Sequence, residues 1–154
     1  MNGVLEAGSG FERRGRPCCL GAGTMIEMSD GTERPIEELS EGDSVRTTSG
    51  YSRIWKVTRA HVSEIVKITD ITGTVIYATP EHAFLTMLGF SPVHKCDTTT
   101  KVQHDAGGWW IQLDNLETVK GEFDVYGLSL EQDACYFANT FVSCPQETEE
   151  MLMF

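Results

Sequence analysis

A chain of 154 residues holds one ordinary core and is too short for two comfortable ones. With 40% hydrophobic and 23% charged residues it is composed as a globular chain rather than a disordered one, and its formal net charge of −11 argues against nucleic acid or an anionic membrane as main partner. No apolar run approaches the roughly 18 residues of a membrane span, and "MNGVLEAGSGFERRGRP" has no apolar h-region, so no signal peptide is expected.

Residues 1–18 carry Gly3, Gly8, Gly10, Gly15 and the basic patch "ERRGRP" without any periodicity, which predicts a flexible upstream segment. From Cys19 onward short β-type runs alternate with turn signals. "TMIEM" is a short alternating run, and "SDGT" supplies an Asp-Gly hairpin turn. "RPIEEL" suits either one helical turn or an extended piece. "EGDSVRT" reads as turn then strand. "SRIWKVTRAHV" and "EIVKITDITGTVIYAT" are rich in Ile, Val, Thr and aromatics, with "TDITGT" as a second hairpin turn. The segment from Lys95 to Gly108, "KCDTTTKVQHDAGG", is polar and ends in Gly, and is expected to be an exposed loop or hairpin insertion. "WWIQL", "DVYGLSL" and "CYFANTFVSC" resume the β pattern. The adjacent Trp109 and Trp110 should face opposite sides of a strand, one into the core. No long segment has a 3.6-residue period. The expectation is an all-β domain of many short strands over residues 19–144, followed by the acidic tail 145–154. Its core should contain Ile26, Ile36, Leu39, Val45, Val57, Val66, Ile68, Val75, Ile76, Phe84, Leu113, Val125, Tyr126, Leu128, Leu130, Phe137 and Val142.

The five cysteines, Cys18, Cys19, Cys96, Cys135 and Cys144, cannot all pair within one chain, and there is no CxxC. His94, Cys96 and His104 fit no standard zinc spacing, so no metal or other cofactor is expected. "YATPEHAFLT" places Thr79 and His82 three apart at the end of a β-type run. Taken alone, both suit half-buried core positions as well as a site.

The order of three blocks changes that reading. "CLGAGTMIEMSDGTERPIEELSEGDSV" opens with Cys19, Leu20, Gly23 and Thr24. It continues through Asp30, Gly31, Pro35, Ile36, Leu39, Gly42, Asp43 and Val45. "TPEH" follows, and "VYGLSLEQDACYFANTFVSC" closes. Together they resemble the opening, Thr-x-x-His and closing blocks of Hint domains, the self-processing module of hedgehog proteins and inteins. The resemblance runs from Cys19 to Cys144. It implies a horseshoe of short antiparallel strands whose two ends meet at the active site.

It also implies a chemistry. The first residue of a Hint domain is a nucleophile, and what precedes it is cargo. Cys19 would then attack the carbonyl of Cys18, converting the Cys18–Cys19 amide to a thioester. The attack is intramolecular, and such proximity is worth about 7–11 kcal/mol of barrier in the best cases. The thiol must lose a proton, the amide nitrogen must gain one, and the oxyanion must be stabilised. On the family's usual assignment His82 moves the proton and Thr79 holds the scissile peptide.

The closing block departs from inteins. They finish on His-Asn, where this chain has Ser143 and Cys144. They usually place an Asp where Gly127 stands, and their usual His is missing around Ala134 and Cys135. These absences argue against full splicing. "NTFVSC" is closer to the hedgehog ending, which would bring Cys144 near Cys19 as a second thiol, either an acyl acceptor or a disulfide partner. Cys18 could likewise form a vicinal disulfide with Cys19. Hedgehog proteins also carry an aspartate between the first two blocks. Here "VTRAHV" offers Arg59 and His61 but no acid, and Asp70 lies in a hairpin turn, so sterol transfer is not expected.

The expectation is therefore a cofactor-independent, monomeric autoprocessing domain of the bacterial-intein-like or Vint-like kind. Its substrate is its own upstream segment, and water or a small amine or thiol is the resolving nucleophile. The alternatives are an unreactive Hint-fold structural or interaction module, and a metal- or ligand-binding β-domain.

Overall fold

The computed structural model describes residues 19–104, 108–132 and 134–144. The upstream segment with Cys18, residues 105–107 and the tail 145–154 lie outside the described residues. All regular structure within them is β-strand apart from two single-turn 3₁₀ helices, Ile36–Glu38 and Val93–Lys95.

The strands are β1 (Leu20–Gly21), β2 (Met25–Glu27), β3 (Glu33–Pro35), β4 (Ser44–Thr47), β5 (Gly50–Asp70) and β6 (Val75–Ala78). They continue as β7 (Ala83–Thr86), β8 (Gly89–Pro92), β9 (Lys101–His104), β10 (Trp109–Leu130), β11 (Tyr136–Ala138) and β12 (Phe141–Ser143). All pair antiparallel, in the order β3-β2-β11-β4-β5-β6-β1-β10-β9-β12-β7-β8. Further pairings of β11 with β12, β5 with β10 and β9 with β7 fold this ribbon back on itself.

The turns follow local chemistry. Gly31 sits at φ 89° between β2 and β3, where an L side chain would be strained, and Met28 N–H donates to Thr32 O across the turn. Between β5 and β6 the Asp70 carboxylate accepts from Thr72 N–H at 2.8 Å and Thr74 N–H at 3.1 Å. "RPIEEL" divides into both anticipated forms: β3 ends at Pro35 and a 3₁₀ turn starts at Ile36.

Two runs expected as separate strands are continuous. β5 spans 21 residues and β10 spans 22, and they pair from Asp70↔Leu113 to Ile54↔Leu130 with register shifts at three places. Their middle portions are largely exposed, but Ala60, Val62, Val119 and Phe123 pack there against the small buried cluster of Cys19, Ile65 and Val125. The Lys95–Gly108 segment is not a simple exposed loop. Lys101–His104 is a strand between β10 and β12, and Val102 is buried. Trp109 and Trp110 are both exposed, at 71% and 39%, so neither supplies the core.

The core lies where the ribbon closes. Tyr136, Phe137 and Phe141 of the β11–β12 hairpin are fully buried with Leu20, Ile26, Ile36, Leu39, Ile54, Ile68, Ile76 and Leu128. Each such side chain is worth about 1.5–3 kcal/mol of burial. Of the anticipated core, Val57, Val75 and Tyr126 are only half-buried, and the others are buried.

Candidate active site

Thr79, Pro80, Glu81 and His82 form a β-turn between β6 and β7, closed by His82 N–H donating to Thr79 O at 3.0 Å. Proline is pre-set for the second position of such a turn. The turn explains why a Thr-x-x-His spacing can carry chemistry, since its first and last residues return to one place. Two further bonds fasten it: Val93 N–H to His82 O at 2.9 Å and His94 N–H to Pro80 O at 3.0 Å.

One end of the domain docks on this turn through β1, which threads between β6 and β10 with Leu20 opposite both Ala78 and Tyr126. Gly21 permits the threading, because a Cβ there would lie 3.1 Å from Tyr77 Cβ. One step before Leu20, Cys19 lies opposite Thr79. Thr79 N–H donates to Cys19 O at 2.9 Å, and Cys19 N–H donates to Thr79 Oγ1 at 2.9 Å. The Thr79 hydroxyl donates back to Cys19 O at 3.3 Å. The amide nitrogen that Cys19 shares with Cys18 is thus held by the threonine. Cys19 is fully buried and packs with Ile65 and Val125.

The other end arrives through β12. Ser143 lies opposite Phe84 of β7 and Tyr136 of β11, and Cys144 N–H donates to Ala83 O at 3.1 Å. Ser143 Oγ is hydrogen-bonded to His82 Nε2, and both residues are buried. The imidazole packs edge-on against Phe84, ring centres 5.0 Å apart. Both ends therefore converge on one four-residue turn.

Tyr136 is fully buried beside this point. Burial pushes its phenol far above the ordinary range; Ser143 opposes the shift, and negative charge on Cys19, Cys144 or Cys135 would add to it. Cys144 Sγ lies 4.0 Å from Cys135 Sγ. The expected partnership of Cys18 with Cys19 falls outside the described residues.

The other candidates lie elsewhere. Cys96 is half-buried, and burial raises its thiol's pKa. His104 does not join His94 and Cys96; its Nε2 lies 2.7 Å from Asp70 Oδ2 in a buried pair. His61 is flanked by Asp124 at 2.9 Å and Glu122 at 2.6 Å, acids from the opposing strand that reading along "VTRAHV" alone missed. Arg59 lies over the Tyr126 ring. Asn139 sits at φ 48°; its Oδ1 accepts from Met25 N–H at 2.7 Å and its Nδ2 donates to Val75 O at 2.9 Å. Sequence reasoning noted Ser143 only as a replacement for histidine, and missed it as the partner of His82.

An all-β ribbon whose two ends meet on a Thr-x-x-His turn is a Hint fold, and known structures agree. The chain is similar to the solution structure of the bacterial intein-like domain from Clostridium thermocellum, with a TM-score of 0.77 at 21% identity over 84% of this chain and 99% of that one. It is similar to the gp41-1 intein, with a TM-score of 0.75 at 19% identity over 82% of this chain and 97% of that one. A DnaB intein from Synechocystis sp. PCC 6803 gives a TM-score of 0.73 at 14% identity over 82% of this chain and 97% of that one. This protein therefore has the Hint fold. No family model matches its sequence. Among curated proteins, the DNA-directed RNA polymerase III subunit rpc2 of Dictyostelium discoideum is 38% identical over 81 residues, 46% of this chain. The match spans only 5% of that protein's length.

Proposed function

We propose that residues 19–144 are a self-processing domain that cleaves the Cys18–Cys19 bond through a thioester, without full splicing. The observation that carries this reading is the bond from Cys19 N–H to Thr79 Oγ1 on a turn whose other end is His82.

Cys19 Sγ loses its proton and attacks the Cys18 carbonyl carbon. The C–N bond then breaks, the nitrogen takes a proton to become the Cys19 amine, and the acyl group rests on Sγ as a thioester. Water would release the upstream segment as a carboxylic acid and restore the thiol, while an amine or another thiol would give an amide or a new thioester. Thr79 fixes the nitrogen that must leave, and His82 is the buried group able to move a proton there. No step requires a cofactor.

Two features support release over splicing. The chain has Ser143–Cys144 where an intein carries its terminal asparagine, and Asn139 is committed through both ends of its amide. Cys144 is a candidate acyl acceptor beside the same turn.

The test is the intact mass of the protein incubated with and without a thiol plus hydroxylamine, beside Cys19→Ala. Nucleophile-dependent loss of residues 1–18, absent from the variant, is the expected result. An unchanged mass under reducing conditions over days would leave a Hint scaffold that has lost its chemistry.

A further inference from the structure

At the open end of the β11–β12 hairpin the Tyr136↔Ser143 pair is followed by two cysteines, Cys135 and Cys144, whose sulfurs lie 4.0 Å apart. Both are thiols. The backbone fixes how they face each other. Cys135 O accepts from Thr48 N–H at 2.9 Å, and Cys144 N–H donates to Ala83 O at 3.1 Å. These groups point away from the hairpin, toward the chain after β4 and toward β7, so the two cysteines form a non-hydrogen-bonded cross-strand pair. Such a pair brings the Cα atoms to about 4.5 Å, within the separations of about 4.4–6.8 Å that a disulfide spans. Side-chain rotation alone then separates the contact from a bond.

The packing says which thiol Cys144 meets. Cys144 packs with Cys135, Phe137, Val142 and Leu85. Cys19 belongs to a different cluster, with Ile65 and Val125, where β1 is threaded between β6 and β10 and Thr79 holds its amide. The hairpin therefore carries Cys144 to Cys135, nine positions away in the chain. Cys144 is half-buried and Cys135 is buried, so Cys144 is the one of the two that a reagent in solution meets first.

We propose that Cys135 and Cys144 are a redox-active dithiol, modified by small disulfides such as glutathione disulfide, and that oxidation consumes Cys144 while sparing Cys19. The Cys144 thiolate attacks one sulfur of the oxidant, and one glutathione thiolate leaves. The Cys135 thiolate then attacks Cys144 Sγ, and the second glutathione thiolate leaves. The protein thiols give up two protons and two electrons, and two molecules of reduced glutathione carry them away. The consequence rests on the processing reading. The reduced chain offers Cys144 to the acyl group on Cys19, whereas the oxidised chain leaves the thioester to water or an external nucleophile. The pair thus governs how the thioester is resolved, and not whether it forms.

The experiment treats the full chain with glutathione disulfide, quenches it in acid, alkylates the remaining thiols under denaturing conditions and maps the peptides. A Cys135–Cys144 link, loss of two hydrogens from the intact mass and an alkylated Cys19 are the expected result. Cys135→Ser should instead keep one glutathione on Cys144. A Cys144–Cys19 link, any other oxidised form of Cys19, or glutathione retained on Cys144 of the wild-type chain overturns the proposal, whether or not the serine variant folds. Hydroxylamine opens thioesters without reducing disulfides, so it should release residues 1–18 from the oxidised and the reduced chain at equal rates. Release that is lost on oxidation and regained with a reductant would put Cys19 in the couple, and it too overturns the proposal. A chain that releases nothing in either state refutes the processing reading alone, and the peptide map still decides the pair.

Discussion

Replacing Thr79 with valine keeps the side chain's shape and removes its hydroxyl. Two contacts go with it, from Cys19 N–H at 2.9 Å and to Cys19 O at 3.3 Å. The carbonyl keeps its bond from Thr79 N–H, but the Cys19 amide loses its acceptor at a residue with 0% exposure. A buried donor left without that bond costs about 1–3 kcal/mol of folding stability. The effect on rate is a separate quantity, because only a contact stronger in the transition state accelerates the reaction. The Cys19 nitrogen starts as a neutral amide and becomes more cationic as it gains a proton. Its bond to Thr79 Oγ1 should strengthen from about 1 kcal/mol to the 1.5–3 kcal/mol of a charged donor. The difference, about 1–1.5 kcal/mol, is about tenfold in rate. The assay is an intact-mass time course of Thr79→Val and Thr79→Ser with hydroxylamine, beside urea unfolding of both. Thr79→Ser should stay close to the wild-type rate. A folded Thr79→Val chain cleaving as fast as wild type would refute the argument, since the hydroxyl would then hold ground and transition states equally.

Asn139 tests the hairpin that delivers Ser143. Asn139→Gly loses both side-chain bonds, about 2 kcal/mol at about 1 each, while Asn139→Ala adds about 1–2 kcal/mol for a Cβ at φ 48°. Urea midpoints should fall in the order wild type, glycine, alanine, and an alanine variant above glycine would contradict the turn geometry. Cys135 and Cys144 flank the Tyr136↔Ser143 pair and are 4.0 Å apart at sulfur. Oxidised glutathione should link these two, their thiols giving two protons and two electrons to form two molecules of reduced glutathione. Peptide mapping that instead links Cys144 to Cys19 would count against the register. The His61 pKa should lie above its ordinary value of 6.5, chiefly through the hydrogen bond to Asp124 and next through that to Glu122. Any stability it contributes is therefore present below the unfolded-state pKa and is lost as pH rises through the folded one. In an NMR titration Asp124→Asn should lower the His61 pKa more than Glu122→Gln, and the reverse order would refute the assignment.

Where local chemistry decides structure, the sequence was readable. Asp30-Gly31 and the Asp70–Thr74 stretch make the hairpin turns their residues suggest. Thr79 and His82 lie together because Pro80 and Glu81 can form only a short turn between them. What escaped was decided by pairing between distant segments. "TRAHVSE" has little apolar alternation, yet it is the middle of β5 because β10 satisfies its backbone. "KVQH" reads as loop and becomes a strand because β7, β10 and β12 surround it. The buried Asp70–His104 pair joins residues 34 positions apart and leaves no local signature.

Ser143 belongs to the same class, and its case bears most directly on function. Nothing in "FVSC" distinguishes a neighbour of His82 from a strand end. Its role follows from register: Ser143 opposite Phe84 places it two residues along the opposing strand from His82, just as Cys19 lies opposite Thr79 at the other end. The turn is therefore completed from two sides, by a residue that begins the domain and one that closes it.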